Sequence, residues 1–149
     1  MLSVRRVVFV AENGTARAPM AAAIGRNLCQ NKLIEVEARG IVVNFPEPMN
    51  PKAQAVLASH GMDMPDYVSK RLVDSDFTEG SLIVVMESAQ RNKVLALYSG
   101  ATDDNVRVLA DLVGEELETM DPYGEPLVTY GLCFEMLKTS IEKLIAIIG

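Results

Sequence analysis

The chain has 149 residues, 49% of them apolar and 23% charged, which suits one compact domain spanning residues 1–149. A net charge of −6 argues against generic binding to nucleic acid or anionic membranes, and no apolar run approaches the ~20 residues of a membrane span. Taken in order, Val7–Ala11 is nearly all β-branched or aromatic and reads as a strand buried on both faces, too short for a signal peptide. A helix follows from Pro19 to Cys29, with Met20, Ala23, Ile24 and Leu28 on one stripe. Ile34–Ile41 alternates apolar and polar residues, as a strand nearer the sheet edge would. Asn50 caps a helix that starts at Pro51, faces Ala53, Val56 and Leu57 inward, and ends at Gly61. Ser81–Met86 is a second buried strand, Ser88–Tyr98 a helix and Val106–Leu109 a short fourth strand. A final helix carries Tyr130, Phe134, Leu137, Ile141, Leu144 and Ile148 at helical spacing. The alternation predicts an α/β fold in three layers, a four-stranded parallel sheet with helices on both faces.

Ligands of such sheets bind beyond the carboxyl ends of the strands, at helix N-termini. The loop after the first strand, Glu12-Asn13-Gly14-Thr15-Ala16-Arg17-Ala18, lies there. Successive backbone amides in a short loop can form an anion-binding concavity, helped by the helix dipole. Arg17 can offer a bidentate fork to two phosphate oxygens, and Gly14 a positive φ. Taken alone, the pattern suits a purely structural turn equally well.

The stretch VVFVAENGTARAPMAAAI, Val7 to Ile24, resembles the active-site loop V-C-x-G-N-x-C-R-S-P-M-A-E of the low-molecular-weight protein tyrosine phosphatases. HGMDMPDYVSKRL (His60–Leu72), SLIVVMESAQRNKVL (Ser81–Leu95) and MDPYGEPLVTYGLCFEMLKTSIEKLI (Met120–Ile145) resemble further segments of that family, in its order and spacing. The resemblance implies the family's fold, a phosphate or phosphotyrosine-containing partner, no cofactor and a cytoplasmic setting. It also implies a chemistry that this chain lacks in part. Ala11 stands at the position of the nucleophilic cysteine, Ala16 at that of the second loop cysteine, and Ala18 at that of the serine that tunes the thiolate. The family's Gly-Asn is Asn13-Gly14 here. Arg17, Pro19, the acid position Asp121 with Pro122, and the pocket-lining Tyr123 are kept.

The expectation is a pseudophosphatase that retains at most phosphate or phosphotyrosine binding through the Ala11–Arg17 loop. Two other readings stay open: an active phosphatase seen through Cys-to-Ala changes or using Asp121 with water, and a protein–protein interaction scaffold. Removing the covalent route removes the step that divides the displacement. General acid–base help of ~10²–10⁴-fold from Asp121 falls far short of what phosphate esters require. Nothing replaces the nucleophile. Cys29 lies about three turns along the first helix, Cys133 has no activating neighbours, and both read as buried free thiols. His60, the single histidine, reads as a surface or capping residue. Thr15 is expected to point away from an anion, and Asp74–Asp76 and Asp103-Asp104 to be solvated turns or caps. No metal-ligand spacing occurs, and the sequence says nothing of oligomeric state. Glu12 is expected either to repel an anion or to pair with Arg17 and close the site.

Overall fold

The computed structural model describes residues 3–148. Four parallel strands lie in the order β2-β1-β3-β4: β1 Arg6–Ala11, β2 Glu35–Gly40, β3 Ser81–Val85 and β4 Val106–Val108. β1 and β3 hold the centre, which is why every residue from Val7 to Ala11 and from Ser81 to Val85 is buried. β2 is an edge strand whose burial alternates, as its sequence predicts.

The helices are α1 Arg17–Leu28, α2 Pro51–Ser59, α3 Ser88–Leu97, α4 Leu109–Val113 and α5 Leu127–Ile148. Period-2 side chains of the central strands divide the core in two. Val7, Phe9, Ala11 and Val84 pack with α1, α2 and α5 on one face, and Val8, Val10, Ile83 and Val85 pack with Val94 of α3 on the other. α1 rides close to the sheet because Gly25 has no side chain there; a Cβ would meet Val36 at 3.0 Å and Phe9 at 3.2 Å. The side chain of Asn50 accepts from the amides of Lys52 and Ala53, the cap expected of it. No helix among the described residues is long and apolar enough to cross a membrane.

Four sequence expectations shift. α1 opens at Arg17 rather than Pro19, since a proline without an N–H sits anywhere in a first turn, and Cys29 caps its end instead of lying inside it. β4 stops at Val108, and Leu109 opens a short helix that closes on Gly114 at φ 73°. Asp74–Asp76 is a 3₁₀ turn, and its Asp76 is a buried brace and not a solvated cap. The Asp76 carboxylate accepts from Arg6 at 3.0 Å and from the Val73 amide at 3.0 Å, and Arg39 lies 3.4 Å away. Its arginine partners are remote in sequence, so no local pattern marks it. Asp103 and Asp104 do sit in an exposed turn, with Asp103 receiving Arg91.

The end of β2 is pressed against the loop that follows β1. A Cβ on Gly40 would lie 2.7 Å from the carbonyl carbon of Asn13 and 2.7 Å from Val43. Gly40→Ala is therefore expected to lower the urea-unfolding free energy by about 1–3 kcal/mol, because backbone has to move. An unchanged midpoint would contradict this packing.

Candidate functional site

The loop between β1 and α1 is held by its oxygens. Glu12 O accepts from the amides of Ile41 (2.9 Å) and Val42 (2.8 Å), Gly14 O from the Tyr67 hydroxyl (2.6 Å), Thr15 O from the Asn50 amide (2.8 Å), and Ala16 O from Met20 (3.1 Å). In a planar trans peptide the carbonyl of one residue and the amide of the next point in opposite directions. Anchoring these carbonyls outward therefore turns the following amides away from the anchors. Among the described residues, the amides of Asn13, Gly14, Ala16, Arg17 and Ala18 donate to no protein acceptor. The α1 N-terminus has no side-chain cap, so its dipole end stays open as well. Gly14 has φ 72°, the positive value the curl calls for, and a Cβ there would meet Gly40 N at 3.0 Å. Thr15 turns both its amide (3.1 Å) and its hydroxyl (2.9 Å) onto the side-chain oxygen of Asn13. The reversed Asn-Gly order thus supplies a local side-chain brace that takes up one loop amide.

Arg17 is 3% exposed, and such burial of a guanidinium requires partners. Both of its side-chain hydrogen bonds among the described residues leave from Nη1, to Glu87 Oε2 at 2.7 Å and to the carbonyl of Thr119 at 3.0 Å. Nη2 lies 3.8 Å from Asp121 Oδ2, too far for a hydrogen bond. Among the described residues no buried side-chain nitrogen or oxygen is left without a partner, so the unbonded Nε and Nη2 reach solvent. That edge is the fork that grips two oxygens of a phosphate or carboxylate. Glu87 is itself set by the start of α3, where Gln90 Oε1 receives the Glu87 amide at 3.1 Å.

The Glu12–Arg17 pair that would close the site does not form. The Glu12 carboxylate is drawn outward by Lys93 of α3 at 2.8 Å and leaves Arg17 alone. Asp121 Oδ1 accepts from the Tyr123 amide at 3.1 Å, and Oδ2 faces Arg17. The Tyr123 side chain is 74% exposed, standing out from the loop without folding over it. Ala11 and Ala18 are buried at the strand end and in the first helical turn, with methyl groups and no heteroatom.

Of the residues the sequence grouped, Arg17 and Asp121 lie 3.8 Å apart, and Ala11 ends β1 where the loop begins. Sequence reasoning missed Glu87, Thr119, Lys93 and Tyr67, of which only Glu87 had a signal: it follows a fully buried strand at the carboxyl end, where such sheets put their sites.

The other reactive side chains are buried or engaged with other partners. Cys133 donates to the carbonyl of Met120 at 3.6 Å, and burial pushes its thiol up to about 12 despite the opposing pull of Arg17. Burial also raises Cys29. His60 is the C-cap of α2; it stacks on Phe134 at 4.0 Å, and its Nε2 is 3.3 Å from Glu135. Among the described residues no group of three or more His, Cys, Asp or Glu is placed to hold a metal ion.

Two measurements test this geometry. With a pKa near 12, about one Cys133 in ten thousand is thiolate at pH 8, so the native protein is expected to leave both thiols unmodified by Ellman's reagent until urea unfolds it. Rapid modification of the folded protein would contradict the burial. Glu87→Gln is expected to cost about 1 kcal/mol of stability, since the carboxylate is 38% exposed and partly screened. No loss of stability would show that Arg17 does not depend on it.

The sequence model of the low molecular weight phosphotyrosine protein phosphatases matches residues 6–149. The structure superposes on the low molecular weight protein tyrosine phosphatase of T. tengcongensis with a TM-score of 0.89 at 30% identity, covering 95% of this chain and 97% of that one. It superposes on the YwlE arginine phosphatase of Geobacillus stearothermophilus with a TM-score of 0.86 at 26% identity, covering 93% and 89%. Among curated proteins, the low molecular weight protein-tyrosine-phosphatase PtpB of Staphylococcus haemolyticus is 28% identical over 93% of this chain and 96% of its own. The α/β sheet, the loop at its carboxyl edge and these matches lead to one conclusion: the chain belongs to the low molecular weight phosphotyrosine protein phosphatase family.

Proposed function

We propose that this protein is a non-catalytic member of its family that binds a phosphoryl group in the Ala11–Arg17 loop. The observation that carries the reading is the state of the donors. Among the described residues, five loop amides and the Nε–Nη2 edge of Arg17 have no hydrogen-bond acceptor, while Glu87 and the Thr119 carbonyl hold the guanidinium through Nη1 alone. Free amides alone mark any uncapped helix start; what supports an anion site is that they share the loop with the unbonded Nε–Nη2 edge of a buried arginine. Helix N-termini with free amides are anion sites, and a charge-assisted fork adds about 1.5–3 kcal/mol per bond.

Binding without turnover follows from Ala11. The methyl group of Ala11 cannot attack phosphorus, so no phosphoenzyme forms there to divide the reaction. Asp121, held at 3.8 Å from Arg17, can hand over a proton, but protonating the leaving oxygen leaves the attack itself unassisted. The loss of Ala18's counterpart hydroxyl is consistent with this, because it served a thiolate that is gone. The absent thiolate also takes a negative charge from beneath the bound anion, and this favours binding.

The phosphoryl donor is read as phosphotyrosine, with Tyr123 at the rim. The arginine phosphatase among the relatives adds phosphoarginine as a second candidate side chain, whose guanidinium N–H groups would suit the Asp121 carboxylate.

Titration calorimetry with inorganic phosphate at low salt tests the proposal. Saturable binding is expected, weakened at least about 30-fold by Arg17→Ala. p-Nitrophenyl phosphate should not be turned over. The double change Ala11→Cys and Ala18→Ser should restore turnover that is lost again on Asp121→Ala. Absence of phosphate binding, or turnover by the unaltered chain that needs Arg17, would overturn the reading.

A further inference from the structure

From Arg107 to Lys138 the chain changes character. The intervening residues carry seven carboxylates and no Lys, Arg or His. The same stretch holds six exposed large apolar side chains: Leu117, Met120, Tyr123, Leu127, Val128 and Leu132. On α5 the buried stripe, Tyr130, Cys133, Phe134 and Leu137, faces the core, so Val128 and Leu132, one turn apart, lie on the opposite face. They are 69% and 58% exposed. Farther along that face the exposed residues are Glu135, Thr139, Glu142, Lys143 and Ala146, so its large apolar side chains are confined to the first two turns, and Lys143 lies 3.8 Å from Glu115.

The shelf adjoins the loop. Tyr123 sits two residues after Asp121, in the turn closed by the Glu125 amide on the Pro122 carbonyl, and Leu127 begins the helix immediately beyond. The segment is also pinned in place. Glu118 receives the Ser88 amide (3.1 Å) and hydroxyl at the start of α3, Thr119 O receives Arg17, and Lys52 of α2 donates to the Glu125 carbonyl at 2.7 Å. A pinned surface loses little entropy on binding. Lys52 is a cation touching this segment, and it is engaged with that carbonyl and lies over the Tyr130 ring at 5.8 Å. The side chains of Glu116 and Glu125 have no ion-pair or hydrogen-bond partner among the described residues.

We infer that this shelf is a docking surface for a polypeptide segment that combines apolar and basic residues, lying next to the phosphorylated residue held by the Arg17 loop. The inference rests on the phosphoryl-binding reading for its placement. The apolar side chains supply contact area that is costly to leave in water, and the acidic surround selects cationic flanks and rejects acidic ones. Acid-flanked phosphopeptides meet repulsion from Asp121, Glu125 and Glu135.

The test uses fluorescein-labelled phosphotyrosine peptides whose flanks on both sides are Lys and Leu in one and Glu and Ser in another, with an unphosphorylated Lys/Leu peptide alongside. Anisotropy is read for the full chain and for Val128→Ser/Leu132→Ser, and phosphate calorimetry verifies the loop of that variant. The Lys/Leu phosphopeptide is expected to bind about tenfold tighter than the Glu/Ser one, and the double variant to lose about fivefold of that preference with unchanged phosphate affinity. Equal binding of the two phosphopeptides, or a preference untouched by the double variant, overturns the shelf while leaving the loop reading in place. Equal binding of the unphosphorylated Lys/Leu peptide, sensitive to the double variant, supports the shelf and contradicts the loop reading.

Discussion

The site depends on how a buried arginine is held. Arg17 lies at the base of the loop with 3% exposure, and an unpaired guanidinium there would cost several kcal/mol. The protein meets this with Glu87 and the Thr119 carbonyl, both on Nη1. Bracing one nitrogen satisfies the charge and fixes the plane of the group, and it leaves the Nε–Nη2 edge without a hydrogen-bonded partner among the described residues. Had Glu87 gripped that edge instead, the same residues would describe a closed site. The rest of the arrangement serves this one contact. The start of α3 brings Glu87, the segment ahead of α5 brings Thr119 and Asp121, and Glu118 ties that segment to α3.

The same economy explains the altered loop. Its carbonyls are anchored by β2's continuation, Tyr67 and Asn50, none of which belongs to the loop itself. The side chains of Ala11, Ala16 and Ala18 therefore take no part in what shapes the curl. Tyr67, whose hydroxyl is pushed up to about 12 by burial, remains a neutral donor to Gly14 O across the physiological range. Glu12 would threaten an anion if it leaned inward, and Lys93 keeps it outward. On the proposed reading catalysis and binding are separable: the positions likened to the nucleophile and its tuning hydroxyl, Ala11 and Ala18, are side-chain positions, whereas the unpaired donors of the loop are mostly backbone amides.

Much of the fold was legible in the sequence, for physical reasons. β1 and β3 are continuous apolar runs because both their faces are covered, and α5 repeats its apolar residues at helical spacing over its whole length. Asn50-Pro51 is a cap that acts through neighbours in sequence. The position of the site followed from topology, and Ala11, Arg17 and Asp121 from resemblance. What escaped was set by distant partners. Asp76 looks like a turn residue until Arg6 and Arg39 arrive from two strands, and a Glu12–Arg17 pair stays open as one alternative until α3 supplies Lys93 to one and Glu87 to the other. Local pattern reports what a residue can do, and the sheet order decides which charge it meets.

The central claim is that the loop amides and the free edge of Arg17 together hold a phosphoryl group. An amide-resolved titration with inorganic phosphate, followed by ¹H–¹⁵N correlation NMR, addresses it most directly. The account predicts saturable shifts largest at Asn13, Gly14, Ala16, Arg17 and Ala18 and at the Arg17 side-chain Nε–H, with Thr15 less affected because its amide is already bonded to Asn13. Shifts that spare these groups, or that gather elsewhere on the surface, would contradict it.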